Sequence, residues 1–387
     1  MRETKEKPTV PTTLRLLVAL LTLALFAAAC GGDDSSTDSA TGDETTEEAT
    51  EDASEESADD APAATGGELN LYNWTDYISE DLLAQFTEET GIEVNLSNYD
   101  SNETMLAALA AGGTGYDVIV PSDYIIPQLI DEGLIQEINT TDLAGAANID
   151  PAFLDPYFDQ GRVYTAPYLY GTTGLAVDTS QVTDVPTSWA DFFAVPAGSE
   201  GTIGVMNDQI EFVHAALRAV GAAPCSENAD DYAAAEELLS SFKDAVSTIN
   251  SDGIIERMAS GENSMHMQWN GAAYRSSLEN ENLEYIYLED GLTLWQDNFA
   301  VAAEAPNYDN ALVFIDWMMT PEVIAAATNW NGYANAITGS DAFVDAELAA
   351  SPIVVPSAEQ LAYASPVEPC SLDALDNYDR LWTAFRS

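Results

Sequence analysis

The order of short apolar runs between residues 68 and 120 restricts this chain to an open α/β sheet. Glu68-Leu69-Asn70-Leu71 alternates as a strand does. A helix start follows, with Ser79 placed as N-cap, Ile78 and Leu83 as a hydrophobic staple, and Glu80 and Asp81 in the positive first turn. Ile92-Glu93-Val94-Asn95-Leu96 alternates again. Residues 105–111 read as a helix that stops at Gly112-Gly113, and Tyr116-Asp117-Val118-Ile119-Val120 has the apolar character of a central parallel strand. Strand, helix, strand, helix, strand is the grammar of a βαβ sheet. Such sheets bind ligands at the carboxyl ends of their strands. Trp74, Thr75 and Tyr77 follow one strand and Ser122 and Tyr124 another, so both sets reach the same edge. Taken alone, Tyr72, Trp74 and Tyr77 suit a core at least as well as a ligand site.

The segment ahead of this sheet cannot fold with it. Arg2, Lys5, Lys7 and Arg15 make a basic start, and residues 16–29 an apolar run too short to span a membrane comfortably. That run ends in Ala27-Ala28-Ala29-Cys30, which resembles a bacterial lipoprotein cleavage and lipidation site. Residues 31–67 are almost wholly Gly, Ser, Thr, Ala, Asp and Glu. They bury too little apolar surface to offset the entropy of ordering, and their acids repel, so an extended tether is expected. Such a tether favours lipidation of Cys30 over an ordinary signal peptide. The organisation expected is a signal segment over 1–29, a lipidated cysteine and linker over 30–67, and a folded part from 68.

The chain carries 66 acidic against 11 basic side chains, a formal charge of −55. That excludes nucleic acid as a partner. It would concentrate a cationic ligand, although solubility or a saline habitat accounts for most of such a charge. With Cys30 lipidated, Cys225 and Cys370 are left to pair in an exported protein. No metal-ligand spacing, phosphate loop or nucleophile elbow occurs, and no cofactor or metal is expected.

Further along, residues 164–168 and 174–177 read as two extended runs, and residues 201–206 as a strand leading into Asn207-Asp208-Gln209-Ile210-Glu211 and a helix. Asp208 and Glu211, three apart, share one helix face. Helix capping alone would explain them. Residues 265–271 form a strand ending at Trp269, and Trp295 and Asp297, two apart in the next strand, face one side. Residues 311–319, 321–329 and 376–385 read as helices, with Tyr333 in the loop after the second.

These stretches together resemble the spermidine/putrescine receptors of bacterial ABC importers. The carriers are Tyr72-Asn73-Trp74-Thr75-Asp76-Tyr77, Gln85-Phe86-Thr87-Glu88-Glu89-Thr90-Gly91-Ile92, Ser101-Asn102-Glu103-Thr104-Met105, residues 116–122, Thr187-Ser188-Trp189, Trp269-Asn270-Gly271 and Trp295-Gln296-Asp297. The resemblance implies a two-lobed, type II-like α/β binding-protein fold that closes as a flytrap, with a mixed sheet in each lobe. The N-terminal lobe would comprise residues 68–174 and 297–339, the other 175–296 and 340–387. It implies a binding set of Trp74, Thr75, Tyr77, Ser122, Tyr124, Asp208, Glu211, Trp269, Trp295, Asp297 and Tyr333, and it places Glu368 where the family uses a glutamine. It implies no catalysis, a polyamine ligand (putrescine or spermidine) and an ABC permease as partner. A lipid-anchored monomer on the outer face of the cytoplasmic membrane is expected. The residue types suit polyamine capture, with carboxylates for ammonium groups that leave water and aromatic faces for methylenes and cations. Receptors for other cationic solutes, such as amino-acid derivatives or opines, are the nearest alternative. A glycosidase-type use of the carboxylates ranks lower.

Overall fold

The computed structural model describes residues 66–198 and 202–387. The expected signal segment, Cys30 and nearly all of the linker lie outside these residues. Eleven strands form one mixed sheet: β1 (Gly67–Trp74), β2 (Ile92–Tyr99), β3 (Val118–Ile119), β4 (Thr165–Asp178), β5 (Ile203–Val205), β6 (Val246–Ile249), β7 (Met265–Trp269), β8 (Leu283–Ile286), β9 (Leu292–Val301), β10 (Ala334–Asn335) and β11 (Ala364–Pro366). The order is β2-β1-β3-β9-β4-β7-β5-β6, with β8 and β10 beside β4 and β11 beside β9. The βαβ expectation holds at the start: β1 pairs in parallel with both β2 and β3. The intervening helix, Glu80–Thr90, is capped by Ser79, whose hydroxyl accepts from the Leu82 N–H at 3.1 Å.

Two separate apolar cores lie along the sheet. One gathers residues from β1 to the start of β4 with Phe299, Phe314 and Ile324; the other runs from Leu175 to Leu292 and takes in Tyr378 and Phe385 of the last helix. Trp269 and Tyr124 pack against both. β4 and β9 pass from one core to the other, antiparallel to each other, so the two halves of the sheet are a single hydrogen-bonded ladder.

The two extended runs read at 164–168 and 174–177 are in fact one fourteen-residue strand. The Gly171-Thr172-Thr173-Gly174 stretch between them looks like a break in sequence. In the fold its glycines answer a demand for close approach. A Cβ on Gly171 would lie 2.6 Å from the Trp295 ring, and one on Gly174 2.8 Å from Tyr285.

Cys225 and Cys370 are joined in a disulfide across 145 residues. It fastens the loop after helix Gln209–Ala219 to the segment before helix Leu372–Arg386. Breaking a closed loop of that length frees the unfolded chain, so the Cys225→Ser, Cys370→Ser double variant should lose about 2–5 kcal/mol of stability. Urea denaturation measures this, and an unchanged midpoint would show that the link adds nothing.

Candidate functional site

Strand ends from both cores converge on one cleft of about 840 Å³, counting its open mouth. The register explains the convergence. Trp74, last in β1, is paired with Tyr99, last in β2. Trp269 lies opposite Thr173 and Trp295 opposite Gly171, two residues apart on β4, so both tryptophans occupy one face.

The aromatic walls are fixed by their neighbours. The Trp74 indole N–H donates to the Val120 carbonyl at 2.9 Å, and its ring centroid lies 6.2 Å from that of Trp269, nearly perpendicular to it. Tyr77 meets Tyr333 edge-on at 5.6 Å, and Tyr333 meets Trp295 at 5.1 Å. Tyr333 can approach only because residue 271 is glycine, where a Cβ would sit 2.4 Å from its ring.

Between these walls stand carboxylates that form no ion pair. Asp297 is 5 % exposed and accepts from the Ser122 hydroxyl at 2.6 Å. The Tyr77 hydroxyl faces the same carboxylate without a well-aligned hydrogen bond. Burial pushes Asp297 up to about 7, against the lowering effect of those hydroxyls. Asp208 caps helix Gln209–Ala219 by accepting from the Glu211 N–H at 2.9 Å, so the capping role is real and the side chain lines the cleft as well. Glu211 accepts from the Thr173 hydroxyl at 2.6 Å, while its other oxygen, Oε2, is buried without a partner. Burial raises both pKa values, and the charge of Asp208 raises that of Glu211 further. Glu103, which accepts from the Tyr124 hydroxyl at 3.4 Å, is raised by burial and by Asp208. Among the described residues one ion pair forms, Arg380 with Glu236 on the surface. None of the cleft carboxylates is in an ion pair: the buried Arg218 guanidinium partly offsets the rise of Glu211 without bonding to it, and Asp297 and Asp208 are left as buried charges of a costly kind. They are spread along the cleft and do not converge as metal ligands. The described residues hold one group of that sort, His214 with Cys225 and Cys370, whose sulfurs are bonded to each other.

Eleven of the twelve residues in the expected binding set line this cleft. Glu368 does not. It is exposed, and the buried side chain that reaches the cleft from its segment is Val367. The thin local pattern around Pro366-Val367-Glu368 gave no periodicity from which to set its direction. Tyr99, Asp100, Ile254, Ile255 and Arg275 also line the cleft. Tyr99 had a usable signal, since it ends the strand beside Trp74. Arg275, on the helix after Trp269, had none.

Residues 81–356 match the family model for bacterial extracellular solute-binding proteins. The spermidine/putrescine-binding periplasmic protein of Salmonella typhimurium is 32% identical over 304 residues, 78% of this chain and 87% of that protein. The putrescine/agmatine-binding protein of Pseudomonas aeruginosa is 30% identical, over 85% of this chain and 95% of its own length. Among solved structures, a chain from Listeria monocytogenes that is named for a spermidine/putrescine ABC transporter superposes with a TM-score of 0.78 at 30% identity, covering 82% of this chain and 98% of that one.

Proposed function

Because the chain belongs to the bacterial extracellular solute-binding protein family, we propose that it captures a polyamine in the cleft and delivers it to an ABC permease. The observation that carries this reading is the set of buried, unpaired carboxylates between aromatic walls. Asp297 and the Asp208–Glu211 pair would each take an ammonium group, with hydrogen bonds to charged groups contributing about 1.5–3 kcal/mol each. Trp74, Trp269 and Trp295 would cover the methylenes and add cation–π attraction. The names of the relatives, which bind spermidine, putrescine or agmatine, agree with this chemistry.

The two cores would make lobes at about 68–174 with 297–339 and 175–296 with 340–387, hinged at β4 and β9, with Trp295 packing across that division into the first core. Ligand residues divide between them, Trp74, Ser122 and Asp297 on one side and Asp208, Glu211 and Trp269 on the other. A dication between the sets would favour the closed form, which is the form a permease would recognise. The exported protein would act as a monomer, held to the membrane by a lipid on Cys30. No catalytic step is assigned to the carboxylates. A thermal-shift screen of amines, amino acids, opines and sugars tests the reading: polyamines should raise the melting temperature most, and a response confined to another class would replace it.

Trp269 is half-buried between the two cores, so its removal should cost binding more than folding. Trp269→Ala is expected to weaken polyamine affinity by roughly tenfold, the scale of one desolvated cation–π contact, with little change in melting temperature. Unaltered affinity by calorimetry would remove Trp269 from the site.

A further inference from the structure

Resting on the polyamine reading, we propose that Arg218, which does not line the cleft, is a positioning residue that acts through the Thr293 hydroxyl to ready Glu211 for an ammonium group. The register sets out the parts. Ser365 of β11, Thr293 of β9, Thr173 of β4 and Trp269 of β7 lie opposite one another in turn, so they form a row on one face of the sheet. Helix Gln209–Ala219 brings Glu211 and Arg218 to that row. Glu211 accepts from the Thr173 hydroxyl at 2.6 Å. The Arg218 guanidinium donates to the Thr293 hydroxyl at 2.9 Å, to the Ser365 hydroxyl at 3.2 Å and to the Leu292 carbonyl at 3.3 Å. The seven residues from Glu211 to Arg218 advance the helix by about 10.5 Å, close to the roughly 9.6 Å that two strand spacings put between β11 and β4. The helix thus spans the row, with its carboxylate at one threonine and its guanidinium at the other.

A guanidinium only donates. Its bond takes a lone pair of the Thr293 oxygen and leaves the hydroxyl hydrogen to point elsewhere. That hydroxyl faces the Glu211 carboxylate without a well-aligned hydrogen bond, and Glu211 Oε2 is buried without a partner. Burial and Asp208 oppose ionisation of Glu211, whereas the two threonine hydroxyls and the charge of Arg218 favour it. The other groups that face Glu211 or Arg218 are Asp123 and Tyr124 after β3, Tyr285 of β8, Asp290 before β9, Tyr378 of the last helix, and His214, which burial holds neutral. None of these is a cation, so Arg218 alone offsets the surrounding acids.

Titration calorimetry with putrescine and with spermidine at pH 7 and pH 9 tests this. Thr293→Val keeps the shape of the side chain and leaves Arg218 its other two bonds. It should bind about tenfold more weakly than the wild type at pH 7, the equivalent of one pKa unit at Glu211. The deficit should shrink at pH 9, where Glu211 ionises without that help. Thr293→Ser, which restores the hydroxyl, should bind as the wild type does. Arg218→Met should reproduce the deficit and its pH dependence, and Arg218→Lys should recover most of the affinity. A merely structural defect would weaken binding equally at both pH values. That result, or unaltered affinity in Thr293→Val, overturns the inference while leaving the polyamine reading intact. No heat from either amine in the wild type overturns that reading, and this inference with it.

Discussion

Asp297→Asn should lower polyamine affinity by about 10²-fold or more, the equivalent of the roughly 3–5 kcal/mol that accompanies removal of one partner from a buried charge pair. The same change should make the empty protein more stable. Asparagine keeps the shape and can still accept from the Ser122 hydroxyl, but it carries no charge to desolvate. The stability gain depends on pH in a definite direction. Asp297 has a folded pKa of about 7, raised from an ordinary 3.8. Between those values the folded state binds a proton that the unfolded state has lost, so the wild type loses stability as pH rises through that window. The melting-temperature advantage of Asp297→Asn should therefore grow from pH 4 to pH 7 and then level off, approaching on the order of 4 kcal/mol by linkage. The difference between variant and wild type is the quantity to measure, because His214 and His266, held neutral by burial, act in the opposite sense in both proteins. A constant difference across that range would show that Asp297 is ionised throughout.

The second large effect is on binding itself. Glu103 and the buried Asp123, outside the cleft lining, are raised by burial, as are Asp297, Asp208 and Glu211 within it. A dication binds their ionised forms, so binding must expel the protons that remain. Primary amines titrate near 10 and stay charged throughout. Affinity should therefore rise at least about tenfold from pH 6 to pH 8, with Asp297 alone accounting for that factor. Calorimetry in buffers of different ionisation enthalpy should show net proton release near pH 6.5 that fades by pH 8.5. Proton uptake, or affinity independent of pH, would mean that the cleft carboxylates are already charged before the ligand arrives.

The parts of the fold readable from residues were those where local pattern and tertiary demand agree. Ser79 is written as a cap and is one. The first three strands alternate or run apolar as their positions in the sheet require, and that reading put Trp74, Ser122 and Tyr124 at one edge. Trp295 and Asp297 were legible as a same-side pair for the same reason. What stayed hidden depends on contacts far apart in the chain. Gly171 and Gly174 signal a turn locally, yet they serve a continuous strand because Trp295 and Tyr285 need the space. Arg275 lies on a helix face whose neighbours, Asp76 and Trp330, come from distant segments. Glu368 was placed by a resemblance too thin to carry side-chain direction, and it points to solvent. Asp208 shows that two explanations for one residue need not compete: it caps its helix and lines the cleft.

Titration of the folded region, freed of bound solute, with putrescine and spermidine addresses the assignment of the cleft most directly. One saturable site per chain for at least one of them, lost in Asp297→Asn, is the expected result. No saturable heat with either amine, or binding that survives Asp297→Asn undiminished, would show that the carboxylates between these aromatic walls were not built for a polyamine.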